Sequence, residues 1–175
     1  MLKKVGMLGA FATGKTSLVS RFVHSIFSER YHTTIGTKID KKIVTVNQQE
    51  LTLVLWDIHG EDQLQQVPMS YLRGSSGYLL VVDGTRRETL VTAAHLQRSA
   101  EETYGELPFV LVLNKADLEA EWELDEGEIE QLARKSLLSI RTSAKTGVNV
   151  ERAFAELSRR MLASPANNPV KSATS

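Results

Sequence analysis

Residues 9–16, which read GAFATGKT, have the types and spacing of a loop that holds phosphate groups. They fit the pattern G-x-x-x-x-G-K-[ST]. Glycines such as Gly9 and Gly14 let the backbone wrap closely around phosphates, and the loop amides and the start of a helix supply partial positive charge. We expect the Lys15 ammonium to reach the outer phosphates and the Thr16 hydroxyl to bind magnesium. The pattern predicts a nucleotide phosphate site, and by itself it leaves a kinase or an ATPase open.

A second candidate motif, Asp57-Ile58-His59-Gly60, ends a predicted strand 42 positions after Lys15. An acidic side chain at Asp57 can hold magnesium through water, and the Gly60 amide can meet a terminal phosphate. The Asp-x-x-Gly pattern is weak in isolation. Its alternative interpretation is a turn after a strand.

The third motif, Asn114-Lys115-Ala116-Asp117, follows the predicted strand 109–113. Ligands of open α/β sheets usually bind at the carboxyl ends of the strands. The Asp117 carboxylate can accept two hydrogen bonds from N1 and the 2-amino group of guanine, whereas adenine offers no such pair of donors. The motif therefore predicts a guanine site.

With these motifs in this order, residues 3–162 resemble the Ras superfamily of small GTPases. The resemblance implies a switch protein that binds GTP or GDP with magnesium and hydrolyses GTP. It also implies that the Ala144 amide faces the guanine oxygen, that the stem of Lys115 packs on the base, and that the ring of Phe27 lies against it. Effector, exchange-factor and activating proteins are the partners that the resemblance implies.

The resemblance extends to two switch loops, the first near Thr34 and the second near Gly60. Thr34 is implied to bind magnesium and the terminal phosphate only in the GTP state. Trp56-Asp57 and the stretch Tyr71-Leu72-Arg73-Gly74 resemble the Rab branch more than Ras proper. The residues that motif and resemblance together assign to nucleotide binding are Gly9, Ala12, Thr13, Gly14, Lys15, Thr16, Ser17, Phe27, Thr34, Gly60, Asn114, Lys115, Asp117, Ser143, Ala144 and Lys145. The assigned metal ligands are Thr16, Thr34 and Asp57, and the residues assigned to hydrolysis are Lys15, Gly60 and Glu61.

Several positions around the terminal phosphate depart from the family pattern. Phe11 and Ala12 stand in place of two glycines, His59 replaces a small residue, and Glu61 stands where a glutamine orients the attacking water. We expect the Phe11 ring to crowd the path of an arginine finger from an activating protein. The sequence therefore predicts slow or atypical GTP hydrolysis, and the alternative is a GTP-loaded scaffold that does not hydrolyse.

The elements that must position these residues alternate between strands and helices, which predicts an α/β fold. The predicted strands are residues 4–9, 38–46, 51–57, 77–83, 109–114 and 138–142, and the predicted helices follow the loop 9–16 and cover 88–104, 125–136 and 149–162. Residues 38–46 and 51–57 are expected to form a hairpin around 47–50. We predict a P-loop NTPase fold with a doubly wound, mostly parallel six-stranded sheet and one antiparallel edge strand. The predicted domain covers 1–163, followed by a disordered tail at 164–175.

Composition and charge argue against several other classes of protein and of binding site. The chain has 175 residues, 21 basic and 21 acidic side chains, and no cysteine. The zero net charge argues against a nucleic-acid partner, and the scattered histidines do not support a zinc site. No apolar run approaches the roughly 20 residues of a membrane span, and we expect no direct lipid anchor. These features predict a protein of the cytoplasm, and we expect it to be a monomer.

Overall fold

The computed structural model describes residues 1–29, 36–60 and 66–164. The strands of this part of the chain are β1 Leu2–Gly9, β2 Thr37–Val46, β3 Gln49–Ile58, β4 Gly77–Asp83, β5 Phe109–Asn114 and β6 Ser139–Thr142. The helices are α1 Lys15–His24, α2 Glu88–Tyr104, α3 Glu126–Ser136 and α4 Val150–Ala163, with short 3-10 helices at Met69–Leu72 and Ala116–Glu121. No helix among the described residues is long and apolar enough to cross a membrane.

The strands form one sheet in the order β2-β3-β1-β4-β5-β6. β2 pairs antiparallel with β3 and lies at one edge, whereas every other pair is parallel. Every residue of β4 and β5 is buried. Such continuous apolar strands form because helices cover both faces of a parallel sheet. The predicted α/β fold with one antiparallel edge strand is confirmed.

Two cores lie on opposite faces of this sheet. On one face α1 packs against α4, with the rings of Phe22 and Phe154 stacked at 3.9 Å between centroids. On the other face α2 and α3 cover the sheet, and Tyr78 stacks on Phe109 with 5.1 Å between centroids. The sheet edge that carries the carboxyl ends of the parallel strands is left for the loops that contain the motifs.

The hairpin differs from the predicted one in its turn. β2 runs to Val46 and β3 begins at Gln49, so the turn is the pair Asn47 and Gln48 rather than four residues. Both turn residues have positive φ, 51° and 64°. Two left-handed residues match the twist of paired strands, and the long register from Thr37 to Val46 enforces this conformation without an Asn-Gly pair.

Smaller differences affect element ends. β1 begins at Leu2 instead of residue 4 because Leu2 already lies in parallel register with Thr52 of β3. α3 begins at Glu126, since Asp125 is its N-cap. The predicted disordered tail lies, beyond Ser164, outside the described residues.

Candidate functional site

A cavity of about 570 Å³ opens at the carboxyl edge of the sheet. The loops after β1, β3, β5 and β6 converge there because parallel strands end at the same edge. The predicted nucleotide-binding residues that line it are Ala12, Gly14, Lys15, Thr16, Ser17, Phe27, Gly60, Asn114, Lys115, Asp117, Ala144 and Lys145. Four further predicted site residues are not part of the lining but form hydrogen bonds with residues of it, namely Gly9, Thr13, Asp57 and Ser143.

The loop after β1 is shaped by close backbone approaches. A Cβ atom at Gly14, whose φ is 97°, would lie 2.3 Å from Asn114 Nδ2. A Cβ atom at Gly9 would lie 2.5 Å from the Val81 carbonyl oxygen. Ala12 also adopts a left-handed conformation, with φ 61°, although an alanine is strained there.

Lys15 is the buried cation of the cavity. Its Nζ donates to the carbonyl oxygen of Ala10 at 3.0 Å and more weakly to that of Gly9 at 3.4 Å. Burial lowers the pKa of Lys15 to about 8, against the opposing attraction of Asp57. A buried ammonium that is only partly compensated favours an anion in the cavity, because the anion's charge offsets the lost hydration.

Thr16 and Asp57 meet at the floor of the site. The Thr16 hydroxyl donates to Asp57 Oδ2 at 2.6 Å. Asp57 is 1% exposed, and its Oδ1 is buried without a hydrogen-bond partner among the described residues. Burial raises the pKa of this carboxyl, and the Thr16 hydrogen bond and the Lys15 charge oppose the increase.

The donor set fits a small hard cation. A carboxylate and a hydroxyl oxygen are the ligands that magnesium takes from proteins, with substrate phosphates and water completing its coordination. The buried, unpartnered Oδ1 of Asp57 would gain a partner from such an ion or from its water. In the described ranges no group of three His, Cys, Asp or Glu side chains forms a self-sufficient metal site.

The loops after β5 and β6 are joined at the opposite end of the cavity. Ser143 Oγ donates to Asp117 Oδ1 at 2.7 Å and accepts from the Thr146 amide at 3.1 Å. The Asp117 side chain is thereby held at the cavity wall, where it can accept hydrogen bonds from a ligand.

Asn114 connects this end of the cavity to the phosphate loop. Its Nδ2 donates to the Thr13 carbonyl oxygen at 3.0 Å, and its Oδ1 accepts from Thr142 Oγ1 at 3.0 Å. The side chain is 2% exposed. Asn114, at the end of β5, therefore joins the phosphate loop to the end of β6 through its amide group.

Two positioning groups were missed by sequence reasoning. Arg21 of α1 donates to the carbonyl oxygens of Ala144 and Lys145 at 2.8 and 2.5 Å. Asp83, fully buried at the end of β4, accepts from Lys115 Nζ at 2.6 Å and from Arg86 Nε at 3.0 Å. A signal for Asp83 exists in the sequence, since an acidic residue ends an otherwise apolar strand at the ligand edge.

The predicted residues around the terminal phosphate are only partly described. Thr34 and Glu61 lie outside the described residues. A Cβ atom at Gly60 would lie 2.4 Å from Phe11 Cα, so the start of the loop after β3 contacts the phosphate loop directly. His59 Nε2 lies 3.4 Å from the Gln66 carbonyl oxygen, and its ring meets Tyr71 edge to face with 6.0 Å between centroids.

Comparison with known proteins gives consistent matches. A family model described as the Ras family matches residues 4–163. Ras-related protein Rab-4A of Homo sapiens is 34% identical over 163 residues, which cover 92% of this chain and 75% of that protein. Rab-4A of Danio rerio is also 34% identical, with 92% of this chain and 76% of the relative covered.

Proposed function

We propose, since this chain belongs to the Ras family of small GTPases, that it is a switch that binds GTP or GDP with magnesium and hydrolyses GTP slowly. The observation that carries this proposal is the convergence of Lys15, Thr16 and Asp117 on one cavity. Membership confirms the predicted resemblance, including its Rab-like character. The nucleotide, the metal and the hydrolysis rate are our inference.

Lys15, Thr16 and Asp57 would act at the phosphate end. The Lys15 ammonium would exchange its hydrogen bonds to loop carbonyls for charge-assisted bonds to the outer phosphates. The Thr16 hydroxyl and the Asp57 carboxylate would hold magnesium, which neutralises phosphate charge when bound. Thr34 is proposed as a further ligand in the GTP state.

Asp117 would select guanine at the other end of the cavity. Because Ser143 occupies only one side of Oδ1 and the carboxylate is exposed to the cavity, it can still accept from N1 and the 2-amino group. We assign the base faces to Phe27 and the stem of Lys115, and the guanine oxygen to the Ala144 amide.

The departures around residue 11 favour slow hydrolysis. Phe11 lines the cavity beside Gly60, and Glu61 replaces a water-orienting glutamine. Lys15 and the loop amides would still stabilise the negative charge that develops on the phosphate oxygens during hydrolysis, because this electrostatic effect does not depend on residue 61. A non-hydrolysing, GTP-loaded scaffold is the second candidate, favoured by the same two residues, Phe11 and Glu61.

The partners that we propose are effector, exchange-factor and activating proteins that bind the switch loops. Residues 36 and 60 border those loops, and the His59 amide donates to the Gly36 carbonyl oxygen at 3.2 Å. The described residues that border the two loops are thus in contact, so a change at one border can be transmitted to the other. The monomeric state and the cytoplasmic location stay predictions.

Base selection is tested by Asp117→Asn. An asparagine can match only one of the two guanine donors, so GDP affinity should fall about 100-fold or more, as expected when a paired polar contact is lost. Xanthosine diphosphate, whose 2-oxo group accepts from an amide, should gain affinity. Glu119→Gln in the same 3-10 helix is the control and should leave both affinities unchanged.

Unchanged GDP affinity in Asp117→Asn would remove the base-site assignment. A single-turnover assay with GTP then separates the two candidate functions. Slow but measurable phosphate release supports the hydrolase, and none over many hours supports the scaffold. Identification of the nucleotide that co-purifies gives an independent check, because retained GTP indicates slow hydrolysis.

A further inference from the structure

Arg86 reaches the phosphate loop from outside the nucleotide-binding motifs. It lies in the connection between β4 and α2. Its Nη2 donates to the Phe11 carbonyl oxygen at 2.6 Å, and its Nε donates to Asp83 Oδ2 at 3.0 Å. One guanidinium therefore connects the end of β4 to residue 11, which lies 75 positions away in the chain.

The Asp83 carboxylate, which accepts from Arg86 Nε, is itself held in a fixed position. The carboxylate is fully buried, and its Oδ1 accepts from the Thr85 amide at 2.9 Å and from the Thr85 hydroxyl at 2.7 Å. Burial opposes the charge of Asp83, but hydrogen bonds from Lys115, Thr85 and Arg86 hold its pKa below the ordinary value. An arginine fork on such an anchored carboxylate has little freedom left, so its other arm is preorganised toward the Phe11 carbonyl.

The peptide that Arg86 holds is next to a strained residue. Ala12 follows Phe11 and has φ 61°. Gly60 approaches the Phe11 backbone so closely that a Cβ atom there would be 2.4 Å from Phe11 Cα. A loop that must keep a strained conformation and also accept Gly60 requires an external contact to hold its backbone.

The Asp83 carboxylate also accepts a hydrogen bond from Lys115, at the end of the cavity that we assign to the nucleotide base. Lys115 Nζ donates to Asp83 Oδ2 at 2.6 Å and lies 3.4 Å from the Ala12 carbonyl oxygen.

We propose that Arg86 is a positioning residue for the bound nucleotide: it holds the Phe11 carbonyl and, through Asp83, couples the phosphate loop to Lys115. The proposal rests on the proposed guanine-nucleotide site. Its simpler alternative is that Arg86 only stabilises the start of α2, where Glu88 Oε1 lies 4.0 Å from Nη1. Loss of Arg86 should affect the phosphate loop under the proposal, and the start of α2 under the alternative.

The test compares Arg86→Met with Arg87→Met. Arg87 is the matched control because it is adjacent and exposed and pairs with Glu128 of α3, away from the cavity. The first readout is amide hydrogen exchange of residues 9–14 in nucleotide-free protein. The second is dissociation of fluorescent GDP, and the third is the thermal unfolding midpoint.

Arg86→Met should increase exchange in residues 9–14 and release GDP about tenfold faster, which is the effect expected from losing a charge-assisted hydrogen bond. Arg86→Lys can reach one acceptor but not both, so its GDP release should be intermediate. Arg87→Met should match the wild type in residues 9–14 and in GDP release.

Unchanged exchange and unchanged GDP release in Arg86→Met would overturn the proposal. A uniform increase in exchange with a lower unfolding midpoint, not reversed in Arg86→Lys, would also overturn it, since a general structural role would then explain the result. If the wild type binds no guanine nucleotide but exchange still increases only in residues 9–14, the proposed function fails while the local contact of Arg86 with the loop stands.

Discussion

At the scale of single residues, Ala12 carries backbone strain in the phosphate loop. Its φ of 61° is one that a glycine adopts without cost. Ala12→Gly should therefore raise the free energy of unfolding, by about 1 kcal/mol, because relief of left-handed strain exceeds the added entropy of the unfolded chain. Urea unfolding of nucleotide-free protein measures this difference.

Ala94→Gly supplies the control for that measurement. Ala94 lies within α2, where a glycine lowers helix stability by about 1 kcal/mol. Each substitution removes one methyl group, yet the two should change the free energy of unfolding in opposite directions. A loss of stability in both would show that the conformation of Ala12 is not strained.

Lys15 predicts a pH dependence of the nucleotide-free protein. Burial lowers its pKa from 10.5 to about 8. Between about pH 8 and 10.5 the unfolded chain binds more protons at Lys15 than the folded chain, so the free energy of unfolding should rise with pH in this window. The Lys15→Met variant lacks the ammonium group, so the pH dependence of its unfolding free energy gives the contribution of all other titratable groups.

The measurement is the difference in free energy of unfolding between wild type and Lys15→Met from pH 7.5 to 10. Wild type should gain stability relative to the variant as pH rises. A phosphate ligand beside the ammonium raises its pKa, so saturating GDP should weaken this trend for the wild type. A difference that does not vary with pH contradicts the assigned burial of the charge.

At the scale of elements, the site depends on short loops that are each tied to a neighbour. Asn114 holds the phosphate loop through Thr13, and Arg21 of α1 holds the loop after β6 through two carbonyl oxygens. Helices distant from the cavity should contribute to stability without affecting ligand binding. The start of α3 provides a test of this separation.

Asp125 is the N-cap of α3, and its side chain accepts from the Glu128 amide at 3.0 Å. Asp125→Ala should lower the free energy of unfolding by about 1 kcal/mol, because a helix amide loses its partner. GDP affinity should not change. Asp125→Ser preserves a capping oxygen and should retain most of the stability, whereas equal losses in both variants would exclude a capping role.

At the scale of the whole molecule, Phe11 bears on how a partner protein could reach the terminal phosphate. An arginine finger supplied in trans is worth about 10³ to 10⁵ in rate. Phe11 lines the cavity beside Gly60, and displacement of the finger by about an ångström would remove its alignment. We expect wild type to show slow intrinsic hydrolysis and little response to such an activator.

Phe11→Gly combined with Glu61→Gln should make the protein responsive to an arginine-donating activator that recognises its switch surface. Glu61 lies outside the described residues, so this part of the prediction comes from the family pattern. Paired turnover rates with and without the activator measure the response. Strong stimulation of the wild type would show that Phe11 does not obstruct the site.

The sequence by itself determined the features that depend on local pattern. The all-buried strands β4 and β5 and the helix α2 have the predicted bounds, because burial on both faces and helical periodicity are visible in neighbouring residues. The phosphate and base motifs were also visible, since their chemistry requires particular residue types at short spacing.

Only the tertiary structure decided how these motifs are connected. The two-residue turn at Asn47 and Gln48 follows from pairing along the whole hairpin, and the sequence has no Asn-Gly pair there to indicate it. The contacts of Arg86 with Phe11 and of Arg21 with Ala144 join residues 75 and 123 positions apart. Such bonds depend on where the sheet order brings separate loops together, which neither composition nor spacing encodes.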